Sequence, residues 1–391
     1  MQTQIFMVHK RHLGLRAPTV LAVGFALTIL VGALVLMLPV SAADGQITPF
    51  LDALFTAASA SCVTGLVTVS TAVHWSVFGK CVILLLIQIG GLGFMSVAAI
   101  ASFVLRRTIT LHERMVMSAG LNLSDGGGIV RLTRRVLFGT FIIEGTGAVL
   151  LSCRFVPHYG FPKGITMGVF HAVSAFCNAG FDLMGTPDDP FQSLIGWAED
   201  PLVNITLMAL IVLGGLGFFV WSDVWDKHSF CRLRLHTKIV LTATAGLLLF
   251  GFGWTLLFEW SNPATLGAFD TPHKLLAAAF ESVTLRTAGF NTIDLGALTG
   301  PSQAVSCLLM FIGGSPGSTA GGIKTVTAAV LVLTAISAFC GRTTVSAFGR
   351  TIAPRSIMNA VTLLMAGGVL CLVGACAIVR NRGRTVSPVP V

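Results

Sequence analysis

The sequence predicts an all-α polytopic membrane protein, built from repeated helix–pore loop–helix units. Three observations carry this prediction: the apolar composition, the alternating charges and an internal repeat. Of the 391 residues, 54% are hydrophobic and 10% are charged. Several apolar runs approach or exceed the roughly 20 residues with which a helix crosses a hydrocarbon layer about 30 Å thick. These runs are 19–38, 77–105, 136–155, 202–220, 239–258, 304–339 and 361–379.

The charged residues alternate in sign from one connection to the next. Lys and Arg cluster at 10–16, 106–135, 227–238 and 342–355, whereas the opposite connections carry most of the acidic residues. This positive-inside pattern predicts a multi-pass protein of the cell membrane with a cytoplasmic N-terminus. The formal charge of +9 could indicate nucleic-acid binding, but its confinement to alternate connections argues against it. An acidic outer face would instead concentrate cations at the outer mouth.

The nine cysteines include no CxxC pair and lie mostly in apolar runs, where free cysteine packs as a small hydrophobe. No disulfide, bound metal or cofactor is therefore expected. The tripeptide Val40-Ser41-Ala42 resembles a signal-peptidase site. We favour an uncleaved helix, because the preceding apolar run is long for a signal peptide and takes part in the repeat described next.

Three segments of similar sequence, which begin at Phe55, Phe170 and Phe280, form the internal repeat. Each starts with an apolar stretch too short to cross a membrane and then reaches a loop glycine: Gly65, Gly180 or Gly289. A pair of glycines follows within the next apolar run, at Gly90-Gly91, Gly214-Gly215 and Gly313-Gly314. The repeating unit is therefore a spanning helix, a half-helix, a glycine-bearing loop and a second spanning helix.

A loop of this kind predicts an ion path. Non-helical backbone at membrane depth must be buried in protein or line a watery cavity, because lipid offers its polar groups no partners. Backbone carbonyls can replace the hydration shell of a monovalent cation, and glycine permits the dihedrals that aim them inward. The C-terminal end of the half-helix also favours a cation. Four polar side chains at the loops would buttress the backbone or hold water: Thr64, Asn178, Thr287 and Asn291.

Close helix packing is the alternative use of glycines in membrane segments. This interpretation is favoured for Gly90-Gly91 and Gly214-Gly215, which lie inside apolar runs. It is disfavoured for the three loop glycines, because a half-helix too short to span the membrane precedes each of them.

The motifs ASASCVTGL, SAFCNAGFD, VTLRTAGFN and above all FIGGSPGSTAGGIKT resemble the Trk/Ktr/HKT superfamily of K⁺ transporters. The chain is most similar to the Ktr-type membrane (B) subunit, over residues 18–327 with a weaker continuation to 379. The resemblance implies a pseudo-fourfold pore whose K⁺ selectivity filter is formed by Val63, Thr64, Gly65, Leu66, Asn178, Ala179, Gly180, Phe181, Thr287, Ala288, Gly289 and Phe290. It also implies an intramembrane gating loop below the filter, formed by Gly313, Gly314, Ser315, Pro316, Gly317, Ser318, Thr319, Ala320, Gly321 and Gly322, with Lys324 just beyond.

The same resemblance implies K⁺ uptake without a cofactor, and it leaves Na⁺ coupling open. Proteins of this type form homodimers and bind a cytosolic ring of nucleotide-binding regulatory subunits of the Ktr A or Trk A type. This chain has no P-loop and no Rossmann fingerprint, so nucleotide would bind to that partner. The alternative function is a secondary transporter with discontinuous helices for another small solute, which the shared orientation of the three copies disfavours. An enzyme is not expected, since no acid, base or metal-binding groups cluster at one depth.

The repeat and the resemblance together divide the chain into successive segments. They are the cytoplasmic N-terminal segment 1–17, the first repeat 18–105, a cytoplasmic connection 106–130, the second repeat 131–225, a cytoplasmic connection 226–236, the third repeat 237–340, the segment 341–379 and the tail 380–391. Segment 341–379 provides a connection and the first helix of a fourth repeat, which is incomplete because no fourth pore loop follows. We therefore expect that this chain alone does not enclose a fourfold filter. Rescue of a K⁺-uptake-deficient host by this chain would contradict that expectation.

Three charged side chains near the loops are candidates for special roles. Arg286 precedes the third filter stretch, and we expect it to pair with Glu281 because an unpaired charge at this depth is costly. Glu144 lies inside an apolar run, and we expect it to pair with polar groups of a neighbouring helix. Lys324 would repel K⁺, pair with a carboxylate, or extend to the inner interface.

Overall fold

The structure, a computed structural model, describes residues 17–93 and 129–385. Its helices are α1 (Ala17–Leu36), α2 (Phe50–Ser61), α3 (Val77–Leu92), α4 (Ile129–Tyr159), α5 (Phe161–Phe176), α6 (Pro201–Leu216), α7 (Phe218–Lys227), α8 (Leu235–Glu259), α9 (Thr271–Thr284), α10 (Gly300–Phe311), α11 (Thr325–Phe339) and α12 (Pro354–Thr385). Two strands, β1 (Ser346–Ala347) and β2 (Arg350–Thr351), pair antiparallel. Most of the predicted segments 1–17 and 106–130, and the end of the tail 380–391, lie outside the described residues.

Three units of the described chain repeat one arrangement: α1–α2–α3, α4–α5–α6 and α8–α9–α10. In each, a long helix packs along a short one that ends just before the loop glycine. The short helices α2, α5 and α9 contain 12, 16 and 14 residues, too few to cross a membrane at about 1.5 Å per residue. Proline marks the start of each, at Pro49, Pro162 and Pro272, where its fixed φ suits the first turn.

The second unit lies between the other two. Helix α5 contacts α3 of the first unit, and α6 contacts α9 of the third. Three large aromatic side chains of this unit are fully buried: Phe155, Phe176 and Phe181. The core of the molecule is therefore centred on the second unit.

Glycine pairs bring the second helices α3 and α6 close to the end of a short helix. A Cβ atom on Gly90 of α3 would overlap the carbonyl oxygen of Ser61, the last residue of α2. A Cβ atom on Gly214 of α6 would overlap the carbonyl oxygen of Phe176, the last residue of α5. Packing is therefore the role of both positions, as predicted, but they pack against the base of a glycine loop and not only against another spanning helix.

Two of the predicted spanning runs are interrupted. The run 202–220 bends by 92° between α6 and α7 at Gly217, whose φ is 91°. The run 304–339 divides into α10 and α11, with non-helical chain between Phe311 and Thr325. Within the described ranges, four helices are long and apolar enough to cross a membrane, or five if the bent pair forms one span.

The segment after α11 turns back through a short hairpin into α12. The hairpin turn consists of Phe348 and Gly349, both with positive φ (50° and 73°), as a tight two-residue turn requires. It is the only sheet among the described residues, which are mostly helical, as predicted. Helix α12 contacts α11, and 6% of its apolar segment Pro354–Ala377 is buried.

Candidate functional site: three glycine loops and the 313–322 loop

The three repeated loops share one backbone conformation. We name them by their residues: glycine loop 1 (63–66), glycine loop 2 (178–181) and glycine loop 3 (287–290). The first residue of each has a left-handed φ of 55°, 55° or 63°, and the glycine two residues later has a φ of 81°, 70° or 85°. Alternation of positive and negative φ lets successive carbonyls face one side of the chain, as in a cation filter.

The left-handed residue at the start of each loop was not predicted. Glycine loops 1 and 3 begin with the β-branched residues Val63 and Thr287, for which a positive φ is unusual. Such a conformation costs on the order of 1–3 kcal/mol and persists only where the surroundings enforce it. The surrounding structure therefore constrains the backbone at these two positions.

Backbone hydrogen bonds from the short helix hold each loop. The amide N–H of Thr64 donates to Ser59 O at 2.8 Å, and that of Ala179 donates to Ser174 O at 2.7 Å. In the third repeat, which reaches its glycine one residue sooner, Ala288 N–H donates to Thr284 O at 3.0 Å. The end of the short helix thus continues directly into the loop and fixes its starting direction.

Side-chain hydroxyls hold the far end of two loops. Ser174 Oγ donates to Phe181 O at 2.7 Å, and Thr284 Oγ1 donates to Phe290 O at 2.6 Å. The corresponding residue of α2 is Ser59, whose hydroxyl is buried without a hydrogen-bond partner among the described residues. Glycine loop 1 therefore lacks the hydroxyl support that the other two loops have.

The three loop glycines lie side by side. A Cβ atom on Gly65 would approach Ala179 O to 2.5 Å, and one on Gly180 would approach Ala288 O to 2.7 Å. A Cβ atom on Gly289 would lie 3.0 Å from the Cα atom of Gly180. The structure thus brings the predicted filter residues together in the order 1–2–3, with all four residues of glycine loop 2 buried.

The 313–322 loop interrupts the third unit between α10 and α11. Its two ends are joined by backbone bonds: Gly313 N–H donates to Ile323 O at 3.0 Å, and Gly314 N–H donates to Gly321 O at 3.2 Å. Positive φ values at Gly317 and Gly322, 68° and 70°, turn the chain back on itself. The predicted break in the helix is therefore a closed loop with its ends adjacent.

The middle of the 313–322 loop is bonded to the second unit. Ser315 N–H donates to Gly215 O at 3.0 Å, and Thr319 N–H donates to Gly214 O at 3.2 Å. Thr319 Oγ1 donates to Phe176 O at 3.0 Å and contacts Asn178 Oδ1 at 3.3 Å. The glycine pair of α6 thus has a second role, beyond packing, as acceptor for this loop.

The 313–322 loop also contacts glycine loop 3, since Gly321 N–H donates to Thr287 Oγ1 at 3.1 Å. Both glycine-loop contacts, Asn178 and Thr287, are the first residues of their loops. The 313–322 loop therefore lies at the base of the glycine loops, where the short helices end.

The predicted ion pair between Arg286 and Glu281 is wrong. Arg286 Nη2 donates to Gly313 O and to Thr325 Oγ1, both at 2.9 Å. The Glu281 carboxylate is buried, and no residue in the described ranges forms a hydrogen bond with it. The two side chains are five residues apart, and Arg286 lies beyond the end of α9, so they do not share a helix face as residues three or four apart do.

Two further charged side chains have neutral partners. Lys324 Nζ donates to the carbonyl of Ala320 at 2.8 Å, inside the loop that Lys324 follows, and not to a carboxylate. Glu144 accepts hydrogen bonds from Gln88 Nε2 at 3.1 and 3.2 Å, which confirms its predicted pairing with a neighbouring helix. Behind glycine loop 2, Cys177 Sγ lies 4.0 Å from Glu144 Oε1.

His171, a fully buried residue of α5, was not predicted as part of the site. Its Nδ1 donates to Met167 O at 2.8 Å, so its Nε2 can accept from the amide of Leu183 at 3.3 Å. This imidazole therefore holds the chain that leaves glycine loop 2. A signal was present, because the aligned positions in the other short helices, Thr56 and Glu281, are also polar.

No group of three or more His, Cys, Asp or Glu side chains in the described residues could hold a metal ion. The twelve residues of the three glycine loops include no charged side chain. Any ligand of these loops would therefore meet backbone carbonyls, hydroxyls and the Asn178 amide.

Comparison with known proteins identifies the family. A family model described as TrkH, cation transport protein, matches residues 10–381. The "Potassium/sodium uptake protein NtpJ" of Enterococcus hirae is 41% identical over 353 residues, which are 90% of this chain and 77% of that protein. The "Ktr system potassium uptake protein B" of Bacillus subtilis is 41% identical over 361 residues, 92% of this chain and 79% of that protein.

A solved structure has the same fold. The potassium transporter TrkH from Vibrio parahaemolyticus aligns with a TM-score of 0.66 at 17% identity, over 94% of this chain and 74% of that one. The predicted fold and the predicted family resemblance are both confirmed, and the apolar helices agree with a multi-pass membrane protein. The chain belongs to the TrkH family of cation transport proteins.

Proposed function

We propose that this chain functions in potassium uptake across the cell membrane, with an ion path lined on three sides by backbone carbonyls of glycine loops 1 to 3. The observation that carries the proposal is the shared backbone of the three loops, with a left-handed first residue and a left-handed glycine in each. The relatives named as potassium uptake proteins support the choice of ion.

Neutral carbonyls suit a weakly hydrated monovalent cation that must both enter and leave. The absence of carboxylates from the twelve loop residues, all of them described, avoids the tight binding that would trap the ion. The short helices α2, α5 and α9 end at the loops, so the partial negative charge of their C-terminal ends adds attraction without a fixed anion.

The 313–322 loop acts as the gate of this path in our proposal. It lies at the base of glycine loops 2 and 3, bonded to Asn178 and Thr287. The charge pattern predicts a cytoplasmic N-terminus, and with that orientation this base faces inward. A cation that leaves the carbonyls toward the cytoplasm would then meet the loop.

Gating by a cytosolic nucleotide-binding regulatory ring, and assembly as a homodimer, belong to the same proposal. A lettered name such as "Ktr system potassium uptake protein B" is consistent with a system of several proteins. Sodium is a second candidate ion, since the name of NtpJ includes it.

Ion-dependent stability of the purified chain tests the choice of ligand. A cation that binds the folded loops stabilises the protein by about 2.7 kcal/mol at a concentration of 100 times its Kd. We expect K⁺ and Rb⁺ to raise the Tm above that in Na⁺ or choline. The variant Gly289→Ser, which disturbs a glycine with a φ of 85°, should lose the difference between K⁺ and Na⁺.

Gly253→Ser is the matched control, because this glycine lies within α8 and an added Cβ would meet no atom within 4 Å. It should keep the K⁺-dependent rise in Tm. Equal Tm values in K⁺ and choline for the unaltered chain would overturn the proposed ligand. A K⁺ effect that Gly289→Ser leaves intact would overturn its placement at the glycine loops.

A further inference from the structure

One guanidinium nitrogen contacts both ends of the 313–322 loop. Arg286 Nη2 donates to the carbonyl oxygen of Gly313, the first residue of the loop, and to Thr325 Oγ1, just beyond its last residue. Thr325 Oγ1 in turn donates to Gly313 O at 3.0 Å. The three groups form a closed triangle that holds the two ends of the loop together.

Arg286 occurs in the unit whose second helix is followed by the 313–322 loop. The residue before the left-handed position is Cys62 in the first unit, Cys177 in the second and Arg286 in the third. The first and second units have no such loop within their described second helices, α3 and α6. The arginine therefore accompanies the loop that it holds.

Arg286 is a buried side chain whose Nη2 has two hydrogen-bond partners, while its Nε and Nη1 have none among the described residues. The side chain is 7% exposed, and Gly313 follows the C-terminal end of α10, where the helix carries partial negative charge. Hydrogen bonds from a charged donor are stronger than those between neutral groups. The ends of the loop are therefore held by charge-assisted bonds to the chain of glycine loop 3.

The middle of the loop is held in a different way and by a different unit. The bonds of Ser315 and Thr319 run to the carbonyls of Gly215, Gly214 and Phe176 in the second unit, and all of them join neutral groups. Phe218 N–H of α7 also donates to Gly317 O at 2.9 Å. The middle is thus held by several separate bonds between neutral groups, each weaker than a charge-assisted bond.

We propose that Arg286 is a positioning residue that clamps both ends of the 313–322 loop to glycine loop 3, so that the gate opens by movement of its middle about fixed ends. This inference rests on the proposed gating role of the loop. It assigns separate tasks to two residues: Arg286 fixes the ends, and Thr319 releases the middle. It also makes glycine loop 3 the element through which a bound cation affects the gate.

Hydrogen exchange of the purified full chain, followed by mass spectrometry, tests the assignment peptide by peptide. Arg286→Gln should raise exchange at the loop ends, around Gly313 and Thr325, by at least about tenfold, because two hydrogen bonds from a charged donor are lost. Arg286→Lys should give a smaller rise, since the ammonium retains the charge but not the planar fork. Thr319→Val should raise exchange only in the middle, 315–321.

The control is Cys62→Ser, because Cys62 directly precedes glycine loop 1 as Arg286 directly precedes glycine loop 3. This variant should leave the exchange of 313–325 unchanged. The effect of K⁺ on hydrogen exchange distinguishes this role from a merely structural one, on which K⁺ would have no influence. Saturating K⁺ should slow exchange at the loop ends in the unaltered chain and in Thr319→Val, but not in Arg286→Gln.

Two results would overturn the clamp: Arg286→Gln exchange equal to that of the unaltered chain, or a rise spread evenly over the ends and the middle. A K⁺ effect that survives in Arg286→Gln would also overturn it, because the ends would then sense the ion without the arginine. Failure of the proposed function would give a different result from failure of the clamp. It would remove the K⁺ effect on Tm in every variant, while the exchange pattern measured without K⁺ would stay as expected.

Discussion

Glycine loops 1 and 2 have the same backbone but different surroundings. Both begin with a residue at a φ of 55° and continue to a left-handed glycine. All four residues of glycine loop 2 are buried, whereas Thr64 and Leu66 of glycine loop 1 are exposed. The shared conformation must therefore arise from what both loops possess, namely the end of a short helix and a glycine at a fixed distance.

The side-chain hydrogen bonds that hold the two loops differ, although the repeated sequence and backbone are similar. In α5, Ser174 bonds the far end of glycine loop 2, and His171 bonds the chain beyond it. In α2, the aligned residues Ser59 and Thr56 have buried hydroxyls for which the described chain provides no partner. The backbone shape is thus local, while the rigidity of each loop depends on its own helix and its neighbours.

The largest expected effect is that of Gly180→Ala, at the centre of the row of glycines. An added Cβ would lie 2.7 Å from Ala288 O and 2.9 Å from the Cα atom of Gly289, at a φ of 70°. Both contacts are with backbone, so relief requires movement of glycine loop 3. We expect a loss of more than about 3 kcal/mol in the free energy of unfolding, measured by denaturation in detergent.

Two further alanine substitutions calibrate that result. Gly65→Ala should cost less than Gly180→Ala, although its Cβ would lie 2.5 Å from Ala179 O, because the partly exposed glycine loop 1 can shift. Gly246→Ala should gain about 0.5–1 kcal/mol, since this glycine lies inside a helix with open space around it. Equal losses for Gly65→Ala and Gly180→Ala would show that burial does not distinguish the two loops.

The next largest effect on stability is expected at the aligned serines Ser174 and Ser59. Ser174→Ala leaves the carbonyl of Phe181 without its donor, and a buried unsatisfied group costs about 1–3 kcal/mol. Ser59→Ala removes a hydroxyl that has no partner among the described residues, so it should be neutral or slightly stabilising. Chemical denaturation of the two variants under one condition measures the difference. A loss for Ser59→Ala as large as that for Ser174→Ala would contradict the difference in support.

Sequence patterns predicted the elements of the site because each depends on neighbouring residues. A short apolar stretch followed by glycine specifies the short helix and its loop, and the Gly, Ser and Pro residues of 313–322 specify a break in the third unit. The family motifs then gave the positions of all twelve residues of the glycine loops. The structure brings the three loops together as expected.

Contacts between units were not predictable in the same way. The expected pairing of Arg286 with Glu281 rested on the cost of an unpaired buried charge, but α9 ends at Thr284 and the chain turns before the arginine. Its partner Thr325 is 39 residues away, and no local pattern indicates a contact at that distance. The left-handed Val63 was likewise unexpected, because its side chain disfavours the conformation that the neighbouring structure enforces.

The last prediction concerns the rates at which two thiols are labelled, and it involves no change in the free energy of unfolding. Cys62 and Cys177 occupy the same position, directly before the left-handed residue of glycine loops 1 and 2. Cys62 is exposed, while Cys177 is fully buried behind its loop. Since reagents reach only accessible thiols, brief treatment of the native protein with a charged methanethiosulfonate should label Cys62 at least about a hundredfold faster, as peptide mass spectrometry would show.

Cys153 is another exposed cysteine, and it serves as a control for labelling of thiols on the surface that lies within the membrane. It lies in the spanning helix α4, so a charged reagent should label it more slowly than Cys62 in lipid bilayers. Labelling of Cys177 at the rate of Cys62 would mean that glycine loop 2 opens as readily as glycine loop 1. The shared backbone would then be matched by shared mobility, and the additional hydrogen bonds of α5 would not account for any difference between the two loops.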